Sequence, residues 1–425
     1  MHGEVIAHLH EKRRSGQVEL TYTELARERW PARTPVVSCS LPVTSSRRDA
    51  TAFLGGLLPE GQARAALAAQ RDLVASDTWG LLAAYGRDIA GALVISDPDD
   101  DRAGRTPHAV DYGSEDELAS AISALPDEPL GAHEDSELSL AGIQDKLLLV
   151  ATAGPTGWGR PVAGLPSTHI LKPDPLTHPG VVVREAEALR IARRAGLTTI
   201  DPQLLDIGGR PCLLVNRYDR VVVDSAVRRI HQEDLLQAVG LDPSARHGRV
   251  KYQEHGGPGY RDAATILLER APDTDAQLDA LAGAMVFTVL IGNADAHAKN
   301  LSLLLDPPGT VRLAPLYDTV PTMLFPTLKV RCAMWVGGVY RSLEDVTRTE
   351  LVREIAGRHA WKVPEDDARA VVDRWVHEIA VHADDTPTGR YIACRAEQLL
   401  NATACPCSDP AVATARQRGE DPGDS

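Results

Sequence analysis

The sequence predicts an α+β chain, and three observations point there. Short β-type runs separated by turn residues fill the first half of the chain. One amphipathic helical segment interrupts them, and beyond Arg220 the chain turns mostly helical, with helical patterns to about residue 381. At 425 residues the chain exceeds one compact core and suits two or three packed units.

Taken in order, residues 17–95 mix strand-like pieces with turns and end in Ala90-Gly91-Ala92-Leu93-Val94-Ile95. Residues 96–137 are polar and include Asp97-Pro98-Asp99-Asp100-Asp101. They read as a solvated linker with one helix over 115–124. Strand candidates follow at 147–150, 168–172 and 213–215, and a helix at 183–195 places Ala186, Leu189 and Ala192 near helical spacing. Together they predict a small sheet with one packed helix. Further helices are predicted over 231–239, 261–269, 275–291, 347–357 and 365–381. A hairpin, 301–305 and 311–315, turns through Asp306-Pro307-Pro308-Gly309. Residues 401–425, rich in Pro, Gly and charge, read as a disordered tail.

Composition narrows the class. Hydrophobic residues make up 43% and charged residues 24%, as in ordinary globular proteins. A net charge of −14 argues against free-standing nucleic-acid binding through a basic surface. The six cysteines have no framework spacing, and Cys405-Pro406-Cys407 lacks the CxxC spacing of a zinc site. Reduced structural thiols are expected. The start of the chain has no apolar signal core, and the longest apolar stretch, 281–292, falls short of the ~20 residues that span a bilayer. A soluble, cytoplasmic protein with no membrane contact is expected.

The chemistry concentrates in Gly292-Asn293-Ala294-Asp295-Ala296-His297-Ala298-Lys299-Asn300, between an apolar helix and a hairpin. Asp295 and Asn300 stand in D-x-x-x-x-N spacing, that of a protein-kinase catalytic loop. A carboxylate there orients an attacking hydroxyl and accepts its proton, and an amide oxygen five residues on can bind a metal. Lys299 can reach the transferring phosphate. The hairpin returns the chain to Leu316-Tyr317-Asp318, a second carboxylate suited to gripping Mg²⁺ between nucleotide phosphates. Thr319-Val320 stand where Phe-Gly usually follows that Asp. Upstream, Ile170-Leu171-Lys172 resembles a strand ending in the phosphate-orienting lysine, and Glu185, with Glu187 as backup, is its candidate carboxylate partner. Taken singly, each residue has a plainer role as a helix cap, a core histidine (His297), a strand end or a turn residue. A metallohydrolase built on Asp295-Ala296-His297 lacks the second His cluster it needs. The four elements in this order point to ATP- and Mg²⁺-dependent phosphoryl transfer.

At this level the chain resembles the HipA family of kinase toxins, over about residues 3–400. Ser40-Leu41-Pro42, Leu57-Leu58-Pro59-Glu60-Gly61 and Gly86-Arg87-Asp88-Ile89-Ala90-Gly91-Ala92 resemble its N-terminal subdomain. Ser139-Leu140-Ala141-Gly142-Ile143-Gln144-Asp145-Lys146 resembles its phosphate-binding loop. Arg217-Tyr218-Asp219-Arg220 and His231-Gln232-Glu233-Asp234 resemble the segments around its hinge. The resemblance implies a two-lobed protein-kinase-like fold with an extra N-terminal β-rich subdomain and a mainly helical C-terminal lobe. The implied division is 1–125 for the N-terminal subdomain and linker, 126–217 for the kinase N-lobe, 218–400 for the C-lobe and 401–425 for the tail. Ala141, Gly142, Ile143, Gln144, Asp145 and Lys146 would cover the ATP phosphates, with Asn216, Arg217 and Tyr218 at the hinge. Asn216 replaces a glutamate frequent in the family. Ser139 matches the family's autophosphorylation position, where a phosphate of about −1.5 to −2 charge would repel ATP and act as an off-switch.

The same resemblance implies a helix-turn-helix antitoxin as partner, DNA contact only through it, and a protein substrate among translation components such as aminoacyl-tRNA synthetases. Two rivals stay open. One is a silent pseudokinase acting as corepressor or nucleotide sensor, against which Lys172, Asp295, Asn300 and Asp318 all stand intact. The other is a small-molecule kinase of the same fold.

Overall fold

The computed structural model describes residues 1, 3–12, 15–97, 105–131, 137–142, 144–224, 226–338, 340–357 and 361–401. The expected tail beyond 401, Pro98 and the acidic residues 99–101, Cys405, Cys407 and Ile143 of the phosphate loop lie outside them. The chain forms two compact units. One comprises Met1–Pro175, Gln203–Gly248 and Leu303–Thr310, and the other Leu176–Pro202, Arg249–Ser302 and the chain from Val311.

The first unit opens with a three-stranded antiparallel sheet, Ala7–Lys12, Gln17–Tyr22 and Arg48–Asp49. Val18, Leu20 and Tyr22 are buried along one face, the two-residue period of a strand. Four helices, Glu24–Arg29, Thr51–Gly55, Gly61–Ala69 and Thr78–Tyr85, complete this part. None exceeds nine residues, too short for a 3.6-residue period to emerge in a sequence window. Caps mark two of them: the Thr23 hydroxyl accepts from Ala26 N–H at 3.2 Å and the Asp77 carboxylate from Gly80 N–H at 2.8 Å.

A six-stranded antiparallel sheet follows, in the order His108–Asp111, Trp158–Val162, Leu147–Ala151, His169–Pro173, Arg210–Asn216, Gln203–Ile207. It is covered on both faces. Leu147, Leu149, Leu171 and Leu214 pack with Tyr112, Leu118 and Ile122, whereas Leu148 belongs to the core built from Ile6 through Leu93. Two buried faces explain the unbroken Leu147-Leu148-Leu149-Val150 run. The 96–137 stretch is therefore not merely a solvated linker. It supplies an edge strand and the helix Glu115–Ser123, which buries Leu118 and Ile122. Its polarity has a local cause: Glu115, Asp116 and Glu117 occupy the first helical turn, where negative charge is favourable, and Ser114 caps it.

Residues 231–239 are not one helix. Gln232–Asp234 is a strand, and the helix Leu235–Ala238 starts only after Asp234, which forms a capping box with Gln237. Glu233, on that strand, is fully buried; one carboxyl oxygen accepts the Cys39 N–H at 2.8 Å and the other has no hydrogen-bond partner among the described residues. Burial pushes its carboxyl up to about 7, against hydrogen bonds from Ser38 and Cys39. The folded-state value thus lies above that of an unfolded glutamate, ~4.3. As pH rises from about 4 to 7 the unfolded chain ionises while the native state retains the proton, so stability falls through that window and levels off above it. The displacement corresponds to roughly 3–4 kcal/mol. Glu233→Gln is expected to remove this slope. Its gain in denaturation midpoint over the parent protein should be larger at pH 8 than at pH 5, and an equal gain at both would refute the assignment.

The second unit is helical: Val181–Arg194, Tyr260–Arg270, Thr274–Ile291, Arg348–Ile355, Glu365–Ala380 and Pro387–Asn401. Thr274–Ile291 packs against three of the others. It has the length and hydropathy of a membrane span, yet Leu281, Met285, Phe287 and Leu290 are all buried within the protein, as in a core helix. The Asp273 carboxylate caps its start and Gly292, at φ +72°, ends it. A Cβ at Gly292 would lie 2.7 Å from Met323 and 2.9 Å from Tyr391, so both conformation and space require glycine here. The helix Pro387–Asn401 was not anticipated. Cys39, Cys212 and Cys332 are buried free thiols, but Cys394 is disulfide-bonded, against the expectation that all are reduced.

Candidate active site

In the helical unit, the chain leaves Gly292 and folds back on itself in a tight loop. The Asn293 side-chain oxygen accepts the Asp295 N–H at 3.1 Å and its amide donates to the Asp318 carbonyl at 3.3 Å. His297 N–H donates to the Asp295 carbonyl at 2.8 Å, and Asn300 N–H to the His297 carbonyl at 2.8 Å. The Asn300 side-chain amide donates to the Asp295 carbonyl at 3.3 Å. With its NH₂ so engaged, the Asn300 side chain keeps its amide oxygen as an acceptor. Thr322 braces the loop, its hydroxyl accepting Ala294 N–H at 2.8 Å and donating to the Gly292 carbonyl at 3.2 Å.

Tyr317 ties the second carboxylate segment to this loop. Its hydroxyl donates to the Lys299 carbonyl at 2.6 Å and lies 2.6 Å from the Ser302 hydroxyl. Asp318 adopts φ +54°, a left-handed backbone that is uncommon outside glycine and tolerated best by Asp and Asn. Asp295, Lys299, Asn300 and Asp318 are thus assembled on one scaffold within this unit. Among the described residues no group of three His, Cys, Asp or Glu side chains could hold a metal. An amide oxygen and a carboxylate, Asn300 and Asp318, are the metal-compatible donors, a hard-oxygen pair that suits Mg²⁺. Thr319, next to Asp318, has a buried hydroxyl without a hydrogen-bond partner among the described residues.

Two further residues surround Asp295 that no motif pointed to. The Tyr252 hydroxyl donates to Asp295 Oδ1 at 2.8 Å. Lys329 places Nζ 3.4 Å above the Tyr252 ring and 4.0 Å from Asp295 Oδ1. Burial lowers the Lys329 pKa, Asp295 opposes that, and nearby Lys251 and Arg249 reinforce it. Asp295 keeps 43% of its side chain exposed, so a substrate can reach it.

On the helix Val181–Arg194, Glu187 is engaged by Arg184 at 2.5 Å and by the Thr388 hydroxyl at 2.7 Å. Glu185, on the same helix, is 1% exposed.

In the sheet-bearing unit, Lys172 is buried on a central strand, paired in register with Leu213. Gly142 has φ +122°, and a Cβ there would lie 2.7 Å from Lys146 Nζ. Lys146 is buried, with Nζ 3.5 Å from the Ala141 carbonyl. Gln144 Nε2 is buried without a hydrogen-bond partner among the described residues, and Asp145 lies between the two. Buried ammonium groups, an orphaned amide donor and a glycine that lets a ligand approach the backbone fit an anion such as a nucleotide phosphate. Ser139 is 0% exposed, and its hydroxyl donates to the Leu57 carbonyl at 3.0 Å.

Asn216 ends the strand Arg210–Asn216, followed by Arg217 and Tyr218. The Arg217 guanidinium is committed inside the protein, to both Asp219 oxygens at 2.9 and 2.7 Å and to Ser167 at 2.8 Å. Its side chain is thus not available to a ligand, and its N–H donates to the Thr168 carbonyl at 2.9 Å. The Tyr218 hydroxyl donates to Gln232 at 2.9 Å.

Known proteins match this layout. Residues 1–96 match the HipA N-terminal domain and 138–383 the HipA-like C-terminal domain. Y4mE of Sinorhizobium fredii, a candidate kinase, is 37% identical over 334 residues, covering 76% of this chain and 77% of its own. The serine/threonine-protein kinase toxin HipA of Shewanella oneidensis is 27% identical over 304 residues, 68% of this chain and 67% of its own. The solved complex of the Shewanella oneidensis MR-1 toxin–antitoxin system, HipA, HipB and operator DNA, contains a chain of the same fold. It superposes with TM-score 0.75 at 22% identity, over 93% of this chain and 94% of that one. Matched at both domains and over most of its length, the chain belongs to the HipA family of kinases.

Proposed function

We propose that this protein is a serine/threonine kinase toxin that transfers the γ-phosphoryl group of ATP, with Mg²⁺, to a protein hydroxyl. The observation that carries the reading is the Asn300 amide donating to the Asp295 backbone, which leaves a metal-compatible oxygen beside a reachable carboxylate. MgATP would supply the transferable phosphoryl group and the charge neutralisation. Asp295 orients the acceptor hydroxyl and takes its proton, and Lys299 steadies the phosphoryl oxygens. Asn300 and Asp318 are the metal ligands. Ala141, Gly142, Gln144, Asp145, Lys146 and Lys172 serve the nucleotide phosphates, Glu185 supports the lysine, and the backbone at Asn216–Tyr218 serves the base. The acceptor is proposed to be a translation component such as an aminoacyl-tRNA synthetase. A HipB-like helix-turn-helix antitoxin is the proposed partner, with DNA reached only through it.

Autophosphorylation at Ser139 is the proposed off-switch. Its hydroxyl is a buried donor to a carbonyl; a phosphate there removes the donor and sets charged acceptor oxygens against that carbonyl. The modified segment cannot return to this position. Phosphatase-treated protein should gain one phosphate at Ser139 in MgATP and none when the metal is chelated, read by intact mass and fragmentation. A gain elsewhere keeps the kinase and discards the switch. The absence of any gain, on the chain itself or on candidate proteins, overturns the kinase reading.

A further inference from the structure

Tyr252 stands out because its environment does not oblige it to bond Asp295. The residue is only half-buried, so water could satisfy its hydroxyl, yet the phenol donates to Asp295 Oδ1 at 2.8 Å. Three groups meet its ring: Lys329 Nζ lies 3.4 Å and Lys251 Nζ 5.7 Å from the centroid, and the His297 ring meets it edge-on at 5.3 Å. The backbone repeats the coupling. Gln253 N–H donates to the Ala333 carbonyl at 3.0 Å, and Ala333 N–H donates to the Ala294 carbonyl at 3.1 Å. Trp335 N–H donates to the Gln253 side chain at 2.6 Å. The residue after Tyr252 is thereby linked, through one residue of the segment beyond Asp318, to the residue before Asp295.

We infer that Tyr252 is a positioning residue for phosphoryl transfer, holding Asp295 Oδ1 so that Oδ2 is presented to the acceptor hydroxyl. Lys329, against the same ring and 4.0 Å from Oδ1, keeps the phenol in place and draws the carboxylate toward it. The inference rests on Asp295 being the base. A carboxylate with neither oxygen tethered samples rotamers in which no lone pair meets the acceptor, and the fraction of productive complexes falls.

The test measures ADP formation from MgATP by the full-length protein, for the wild type, Tyr252→Phe and Asp295→Asn, with melting temperatures alongside. Tyr252→Phe keeps the ring and its packing and removes one charge-assisted hydrogen bond. The expected result is a fall in kcat of about tenfold to a hundredfold, with KM for ATP within about twofold and the melting temperature unchanged. Wild-type kcat in Tyr252→Phe beside an inactive Asp295→Asn overturns this inference and leaves Asp295 as the base. A joint change in kcat, KM and melting temperature marks Tyr252 as merely structural and also overturns it. A fully active Asp295→Asn removes the reading on which the inference stands.

Discussion

Asp295→Asn is expected to lower the rate of phosphoryl transfer by about 10²–10⁴-fold, the usual cost of removing a general base, with nucleotide affinity nearly unchanged. The substitution is close to isosteric. An amide oxygen can still accept the Tyr252 hydroxyl, and the backbone carbonyl that holds Asn300 is untouched. The loop should keep its shape. What disappears is the capacity to take a proton and the negative charge 4.0 Å from Lys329. Nucleotide affinity is expected to survive because the proposed phosphate-binding lysines, Lys146 and Lys172, belong to the other compact unit. Nucleotide binding by fluorescence and turnover by ADP release, on the same preparations, separate the two quantities. If turnover stays at the wild-type level, Asp295 is not the base. Turnover and affinity falling together would make it part of the nucleotide site instead.

The parts of this site that were legible in the sequence are those whose partners are neighbours along the chain. D-x-x-x-x-N spacing survives as a local loop because Asn293, His297 and Asn300 bond to Asp295 or its backbone within five residues. The hairpin return to Asp318 was legible because turn residues announce it. Tyr252 and Lys329 were not, since they reach Asp295 from 43 residues before and 34 after it (295 − 252 and 329 − 295), and no spacing rule covers such distances. The choice between Glu185 and Glu187 turns on helix phase, which spacing alone does not give; Arg184 and Thr388 engage Glu187. At the level of fold, the strands at 147–150 and 213–215 and the long helices were readable from period and length. The N-terminal helices were too short for that. The helix Glu115–Ser123 was read as solvated because its first turn is acidic for a reason of capping, not exposure.

Asp88→Asn is expected to cost about 3–5 kcal/mol of stability, the range for breaking a buried ion pair from one side. Charged residues such as Asp88 and Arg217 ordinarily read as surface. Here both are fully buried, in a network within the sheet-bearing unit. The Asp88 carboxylate accepts from Arg220 at 3.0 Å and from the Ser167 N–H and hydroxyl at 2.9 and 2.6 Å, with Arg229 at 3.6 Å and Arg217 at 3.9 Å. Asp219 binds Arg217 and Arg220 and accepts the Gly91 N–H at 2.8 Å. Burial alone would raise the Asp88 pKa, but Arg220, Arg217 and Arg229 together hold it below the ordinary carboxylate value. Three guanidinium groups against two carboxylates leave little tolerance: removing one negative charge leaves three buried cations facing Asp219 alone. The network also joins the N-terminal residues 88–91 to the strand-end residues 217–220, so a chain that loses it should loosen where the proposed nucleotide hinge begins. Glu365→Gln, which breaks the exposed Glu365–Arg369 pair at 3.1 Å on a helix surface, is the matched control, with an expected cost below about 0.5 kcal/mol. Urea denaturation of both variants decides the matter. A large loss in Asp88→Asn beside a negligible one in Glu365→Gln is the expected pair, and equal small losses would mean that the arginines find other partners once Asp88 is neutral.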